Sequence, residues 1–430
     1  MRTWVLVGVF SVMMSGLLSA QIDVRSNGQD GVFAPQLSDG VQNGSEWILT
    51  IDLRNAYEGT WNDLLSPAEI ALGSPVYGRG IYDPARWAVV FHYQSVNIPA
   101  GMRVVFTNHR TRAPVVWLVQ GDVTIAGVVD LNGNNFDWAP TREFTEAGPG
   151  GFRGGAKTVG TLINTGGLGP GGGGVILGGS FATGPRVYGN PSLIPLVGGS
   201  GGGGGLRNGA SGGGAILIAS NQVLTLAGAI RCNGGIGAHE QGFGGQTGSG
   251  AGGGIRLIAA TLAGSGSTSA VGGTGFVLGG LGRIRLEYLT LGAGNMSVQP
   301  NPSVVAAAPA PQLWLIGDDG LAATPQARIF SVGGEVTPTD PSAQFGAPGA
   351  DVVIPEPLSG ETTVIVETLN VETVPETEVR VVANYGNGGN LVDVPATYDP
   401  GMDAGPFRYW VTSIPVGHGY VAIQARVSRP

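Results

Sequence analysis

Cysteine is almost absent from this chain: Cys232 is the only one in 430 residues. An exported protein with one thiol has no internal disulfide framework, so its stability has to come from packing and hydrogen bonds. Cys232 itself, between Arg231 and Asn233, reads as a small core-facing residue, with a reactive thiol as the alternative. Basic charge is scarce as well. Lys157 is the only lysine, the arginines are scattered, and the formal net charge is −8, which disfavours nucleic acid and anionic membranes as partners. Charged residues make up only 12% of the chain while aliphatic residues stay frequent, so this is not a disordered polyelectrolyte. No apolar run long enough to span a bilayer follows the first twenty residues, and no integral membrane segment is expected beyond them. The four histidines, His92, His109, His239 and His418, have no metal-ligand spacing and read as surface or turn residues.

What the chain does have begins with Met1-Arg2 and an apolar run from Trp4 to Leu18 ending in Leu18-Ser19-Ala20. That pattern reads as a signal peptide over 1–20, cleaved before Gln21, which places the mature protein outside the cytoplasm as a secreted or surface protein. Glycine is the second feature: 48 of its 78 occurrences fall between Glu146 and Gly282, so the remainder of the chain is ordinary in composition. These glycines lack the every-third-residue period of collagen. Within this window aliphatic runs follow glycine pairs, with Val175-Ile176-Leu177, Ala215-Ile216-Leu217-Ile218 and Ile255-Arg256-Leu257-Ile258 starting at a forty-residue spacing, and Arg283-Ile284-Arg285-Leu286 closer behind.

A second element also repeats. Val123 to Gly133 aligns with Leu224 to Gly234 position by position, with Thr, Ala, Gly, Asn and Gly identical. Thr261-Leu262-Ala263-Gly264 echoes it, and Thr290-Leu291 is a further, eroded copy. The alternation within these stretches has the period of two of β-strands, and glycines every few residues disfavour helix by about 1 kcal/mol each. One such unit cannot bury its apolar face alone, whereas copies stacked in register would form a continuous aliphatic column. The fold class expected is therefore all-β: a parallel β-helix or solenoid over 88–299 with the glycine tracts as peripheral loops. Residues 21–87 would cap it. A Pro/Ala linker over 300–311 would lead to a small antiparallel β-sandwich of immunoglobulin-like type over 312–430. Asn132 and Asn233, at equivalent places in two copies, suit a hydrogen-bonded ladder at a corner of the stack.

Chemistry is thinly represented. The densest acidic stretch of the glycine-rich region contains Asp130, Asp137, Glu143 and Glu146, with Arg142, Arg153 and Trp138 close by, and this is the candidate ligand-binding loop. No catalytic residue, metal site or cofactor is assigned. The stretch Gly150 to Thr158 is superficially like a phosphate-binding loop, but Ala156 stands where a glycine should precede Lys157.

Three stretches, Val96 to Gly101, Pro114 to Val119 followed by Gly121 to Gly127, and Ala215 to Ala219 behind a glycine pair, resemble glycine-rich exported proteins of bacteria. The likeness covers about residues 88 to 290 and implies a pectate-lyase-like right-handed β-helix by analogy, with no catalytic residue that maps onto this chain. The function expected is a non-catalytic structural or adhesive protein of the cell surface or extracellular matrix. The alternative is a carbohydrate-active or glycan-binding protein, with Trp87, Trp117 and Trp138 stacking on sugars. Partners on either reading are polysaccharide or another surface component, and unsealed stack ends would permit self-association.

Overall fold

A computed structural model describes residues 22, 24–60, 63, 77–136, 144–155, 166–173, 191–205, 207–238, 247–306, 325–338, 351–354, 360–385, 391–415 and 421–428. The expected leader over 1–20, the run at Val175 and all but the first residue of the helix expected over Asp63 to Leu72 lie outside them, as do residues 307–311 of the proline-rich linker, whose residues 303–306 form a strand. The chain is all-β. Ten strands form a mixed sheet: β1 (Gly31–Phe33), β4 (Tyr57–Glu58), β5 (Ile81–Asp83), β6 (Ala88–Ile98), β8 (Val115–Val119), β9 (Val123–Ile125), β11 (Ala215–Leu226), β13 (Gly254–Ala263), β15 (Arg283–Leu291) and β17 (Ser303–Ala306). Seven form a second sheet, in the order β16 (Ser297–Gln299), β14 (Ser267–Ser269), β12 (Ala229–Arg231), β10 (Val128–Asp130), β7 (Met102–Thr107), β3 (Glu46–Asp52) and β2 (Val41–Asn43).

The strand sequences follow from what each face meets. Phe91, Trp117, Ile218, Leu257 and Leu286 lie in register on adjacent parallel strands, and all five enter one core shared with Val104, Val129 and Ile230 of the second sheet. The opposite face of the first sheet is covered too, since Val90, Val116, Leu217, Leu118 and Ile258 pack against Ile22, Val24, Leu193 and Leu196. Strands buried on both sides need no polar alternation, which is why Val115 to Val119 is one unbroken apolar run.

The expected right-handed β-helix or solenoid with an immunoglobulin-like sandwich is corrected by this topology. Both sheets contain antiparallel pairs, β5 with β6 and β2 with β3. Strands β6, β8, β9 and β11 close a four-strand parallel ring, because β6 and β11 each pair with both β8 and β9. The C-terminal strands form one antiparallel sheet in the order β19 (Glu335–Val336), β18 (Gln326–Val332), β20 (Glu361–Leu369), β23 (Phe407–Pro415), β22 (Leu391–Tyr398), β21 (Glu378–Tyr385) and β24 (Val421–Ser428). It curls as a half-barrel around Val364, Val366, Val381 and Trp410 because β22 pairs with β21 along most of its length but with β23 at Thr397 and Tyr398. Among the described residues two separate facing sheets are not formed.

The larger correction concerns glycine. The tracts are not peripheral: Gly198 to Gly205 and Gly209 to Gly214 are buried throughout. They belong to no helix or strand, yet their amides are paired with one another in steps of three. Phe152 and Gly155 donate to Gly199 O and Gly202 O at 3.0 and 2.8 Å; Gly199 and Gly202 donate to Gly213 O and Ala210 O at 2.7 and 2.8 Å; Gly212 and Gly209 donate to Phe152 O and Gly155 O at 2.9 and 2.7 Å. Three segments thus bond around a triangle. The same step continues outward, from Gly250 and Gly253 to Gly235 O and Cys232 O, and from Gly248 and Ala251 to Gly203 O and Ser200 O. A three-residue repeat is that of a polyproline II-type helix, which has no internal hydrogen bonds and must satisfy its amides on neighbours when buried.

Close approach of these backbones is what demands glycine. A Cβ on Gly199 would lie 2.1 Å from Ala251 O, on Gly212 1.8 Å from Gly199 O, and on Gly253 1.7 Å from Gly214 O, although none of the three has a left-handed φ. Buried hydroxyls complete the satisfaction of the bundle: Ser249 Oγ accepts from Gly237 N and Gly275 N, both at 3.0 Å, and Thr247 Oγ1 accepts from Ala238 N at 2.8 Å. Two of the glycine pairs that precede aliphatic runs are points where the chain leaves this bundle and enters a sheet, Gly213-Gly214 into β11 and Gly252-Gly253 into β13.

Candidate functional site

The repeat at Val123 and Leu224 sets up the most developed surface feature. Strand β10 pairs in parallel with β12, placing Val128 to Asp130 beside Ala229 to Arg231, and β10 pairs with β7 on its other side. Where the chain leaves β10 and β12 for the glycine bundle, a groove of about 520 Å³ opens, lined among others by Arg103, Phe106, Asp130, Asn132, Asn135 and Asn233.

Asparagine builds its wall. Asn132 N donates to Asp130 Oδ1 at 3.0 Å, Asn132 Oδ1 accepts from Asn233 N at 2.7 Å, and Asn233 Oδ1 accepts from Val271 N at 3.0 Å. Asn135 Oδ1 repeats the device by accepting from Ile236 N at 2.8 Å. The ladder expected at this corner thus runs from side-chain carbonyl to the backbone of the next layer. These bonds fix which way each amide faces, because a nitrogen turned to the same N–H would repel it.

The charges of the site are paired. Arg103 reaches Asp130 Oδ2 and Glu46 Oε2, both at 3.4 Å. Glu146 is held on two sides, with Arg112 Nε 3.1 Å from Oε2 and Arg153 Nε 2.6 Å from Oε1. Its backbone carbonyl accepts from Asn134 Nδ2 at 3.0 Å and from Ser211 Oγ at 2.5 Å, tying this ion cluster to the rim of the groove. Behind the groove Cys232 is fully buried, and burial, reinforced by the negative charge of Asp130, pushes its thiol well above the ordinary range. A neutral thiol there is a packing residue.

Of the seven residues singled out in the sequence, Asp130 lines the groove, while Glu146 and Arg153 pair with each other in a separate cluster. Asp137, Trp138, Arg142 and Glu143 lie outside the described residues. Trp117 is fully buried among Phe33, Tyr93 and Phe106, so it offers no face to a sugar. Trp87 is half-buried and donates its indole N–H to Thr111 O at 2.9 Å. His92 and His109 are buried rather than superficial, the latter at a turn closed by Arg112 N and stacked on Tyr82 at 4.2 Å. Arg103 was missed because it lies 27 residues before Asp130, and Asn134 and Asn135 because neutral amides were passed over in favour of charged and aromatic side chains. The available signal was Asn132-Gly133-Asn134-Asn135 beginning at the repeat position shared with Asn233.

Among the described residues no group of three His, Cys, Asp or Glu is placed to hold a metal ion, and no helix is long and apolar enough to cross a membrane. One carboxyl does have a strongly altered acidity. Burial raises Asp30 to about 6 even though its carboxylate accepts from His92 N at 2.7 Å and Gly80 N at 3.4 Å. Those bonds fasten the start of the described chain to β6 and to the residue before β5, so this group is a structural latch. No family model, curated protein or solved structure matches the chain.

Proposed function

We propose that this is a non-catalytic exported protein of the cell surface or extracellular matrix with a structural or adhesive role. The observation that carries the reading is the buried glycine bundle. It places many backbone amides in mutual hydrogen bonds while contributing few side chains that could do chemistry. Ordering glycine is entropically expensive, and a fold that does so across its interior gains closely packed, rigid backbone in return. The paired state of Asp130 and Glu146 supports the same view, since each carboxylate faces an arginine in place of a free proton donor or a second carboxylate.

The test has two arms. Expressed with its own leader, the chain is recovered outside the cytoplasm, and the purified mature chain adheres to cells or matrix while releasing no product from a polysaccharide panel. Retention in the cytoplasm, or turnover of any polysaccharide at catalytic rates, would overturn the reading. The groove favours the glycan-binding side of the alternative, through amides and not through the tryptophans.

A further inference from the structure

We propose that the groove at the ends of β10 and β12 binds an extended stretch of neutral polysaccharide, hydrogen-bonded through the amide nitrogens of Asn132, Asn135 and Asn233. The inference deepens the adhesive reading by naming what the surface grips. Each of these side chains uses its oxygen to accept a backbone N–H from the next layer, and among the described residues the Nδ2 groups have no partner. A ladder role accounts for the oxygens alone. It leaves three oriented donors on groove-lining residues, a set suited to the oxygen atoms of a polyhydroxylated ligand.

Charge and shape select within that class. The two charged residues of the lining, Arg103 and Asp130, offset each other at 3.4 Å, so the groove has no net charge with which to attract an acidic polymer. Phe106, Val105 and Ile236, the last 42% exposed, add apolar surface for the C–H faces of sugar rings. Asn132 and Asn233 occupy successive layers of a parallel ladder, about 4.8 Å apart across the strands, close to the length of one pyranose ring. An extended chain of linked sugars would therefore meet one donor per residue. The wall is held from behind by the glycine bundle, which keeps these donors oriented before binding and reduces the ordering cost of association.

Calorimetric titration of the mature chain with neutral hexasaccharides of several linkages, and with polygalacturonate, tests this. At least one neutral hexasaccharide is expected to bind, and polygalacturonate to bind more weakly. The variants Asn132→Asp and Asn233→Asp keep the oxygen that accepts the backbone N–H and lose the donor, so they should melt near the wild type. Each should lower affinity about five- to tenfold, the effect of losing one hydrogen bond. Asn135→Ala, at an exposed position, introduces no charge but removes the acceptor of Ile236 N together with the donor; it should weaken binding at least to the same degree, with its melting measured alongside. Failure of every neutral hexasaccharide at millimolar concentration, equal binding by folded variants, or tighter binding of polygalacturonate would each overturn the proposal. If the wild type adheres to cells while no hexasaccharide binds, the groove assignment falls and the surface role stands. Binding followed by turnover would remove the surface role and keep the groove.

Discussion

Replacing Gly212 by alanine separates two opposed accounts of the glycine tracts, because they predict opposite signs. Were Gly212 in a surface loop, as the sequence suggests, alanine would restrict the unfolded chain and stabilise the protein by about 0.4–1 kcal/mol. In the structure the new Cβ would sit 1.8 Å from Gly199 O and 2.2 Å from Gly199 C, both backbone atoms. Relief requires the two segments to separate by about 1.5 Å, since ordinary contact begins near 3.4 Å. That movement disrupts the bonds from Gly212 N to Phe152 O, Gly199 N to Gly213 O and Phe152 N to Gly199 O. At about 1 kcal/mol per bond, with some strain left over, the loss is about 3–5 kcal/mol. Urea denaturation of both proteins reads the difference as a lower midpoint. Amide exchange should show faster opening at Gly199, Ala210 and Gly213 in the variant. A neutral or raised midpoint would refute the close-packed bundle.

Three further outcomes follow from particular contacts. Asp30 has a folded-state pKa of about 6 against an ordinary 3.8, so the native state holds the extra proton between these values. Its contribution to stability is complete below about pH 4 and is lost as pH rises through 6, a change of about 3 kcal/mol. Asp30→Asn should flatten that part of the stability profile, measured by denaturant midpoints from pH 4 to 7. Arg256 and Glu287 form an ion pair with both side chains only 1% exposed and 2.8 Å between Nε and Oε1. Arg285 Nε also reaches Glu287 Oε1, at 3.3 Å. Arg256→Met should therefore destabilise by about 2 kcal/mol, less than the full loss of a buried partner, and adding Glu287→Leu should recover part of it in a double-mutant cycle. The buried, high-pKa thiol of Cys232 should resist an aromatic disulfide reagent in the native protein and react at the rate of unfolding in urea; rapid labelling without denaturant would contradict its placement.

Particular elements show how far the residues alone could be read. The alignment of Val123 to Gly133 with Leu224 to Gly234 is the physical register: Thr124 faces Thr225, Val129 faces Ile230, and Asn132 bonds to Asn233. Such a match survives because a one-residue slip would turn every apolar side chain to the wrong face. Thr261 and Thr290 also pair as the eroded copies suggest, but Thr261 lies opposite Val223 and not Thr225, two places from where the echo of Thr225-Leu226-Ala227 would set it. The site was half legible. Asp130 was found through its charge, whereas Arg103 comes to it from a strand 27 residues earlier through pairing of β7 with β10.

The sequence by itself determined that this chain is all-β, because glycine density forbids helix and the alternation in the repeats has the strand period. It also determined that Val123 to Gly133 lies beside Leu224 to Gly234. Only the tertiary structure decided where the glycines go. A chain of glycines carries no side-chain pattern to mark a face, so burial cannot be read from it. Its segments become a solid only when several of them, far apart in sequence, approach closely enough to exchange every third amide.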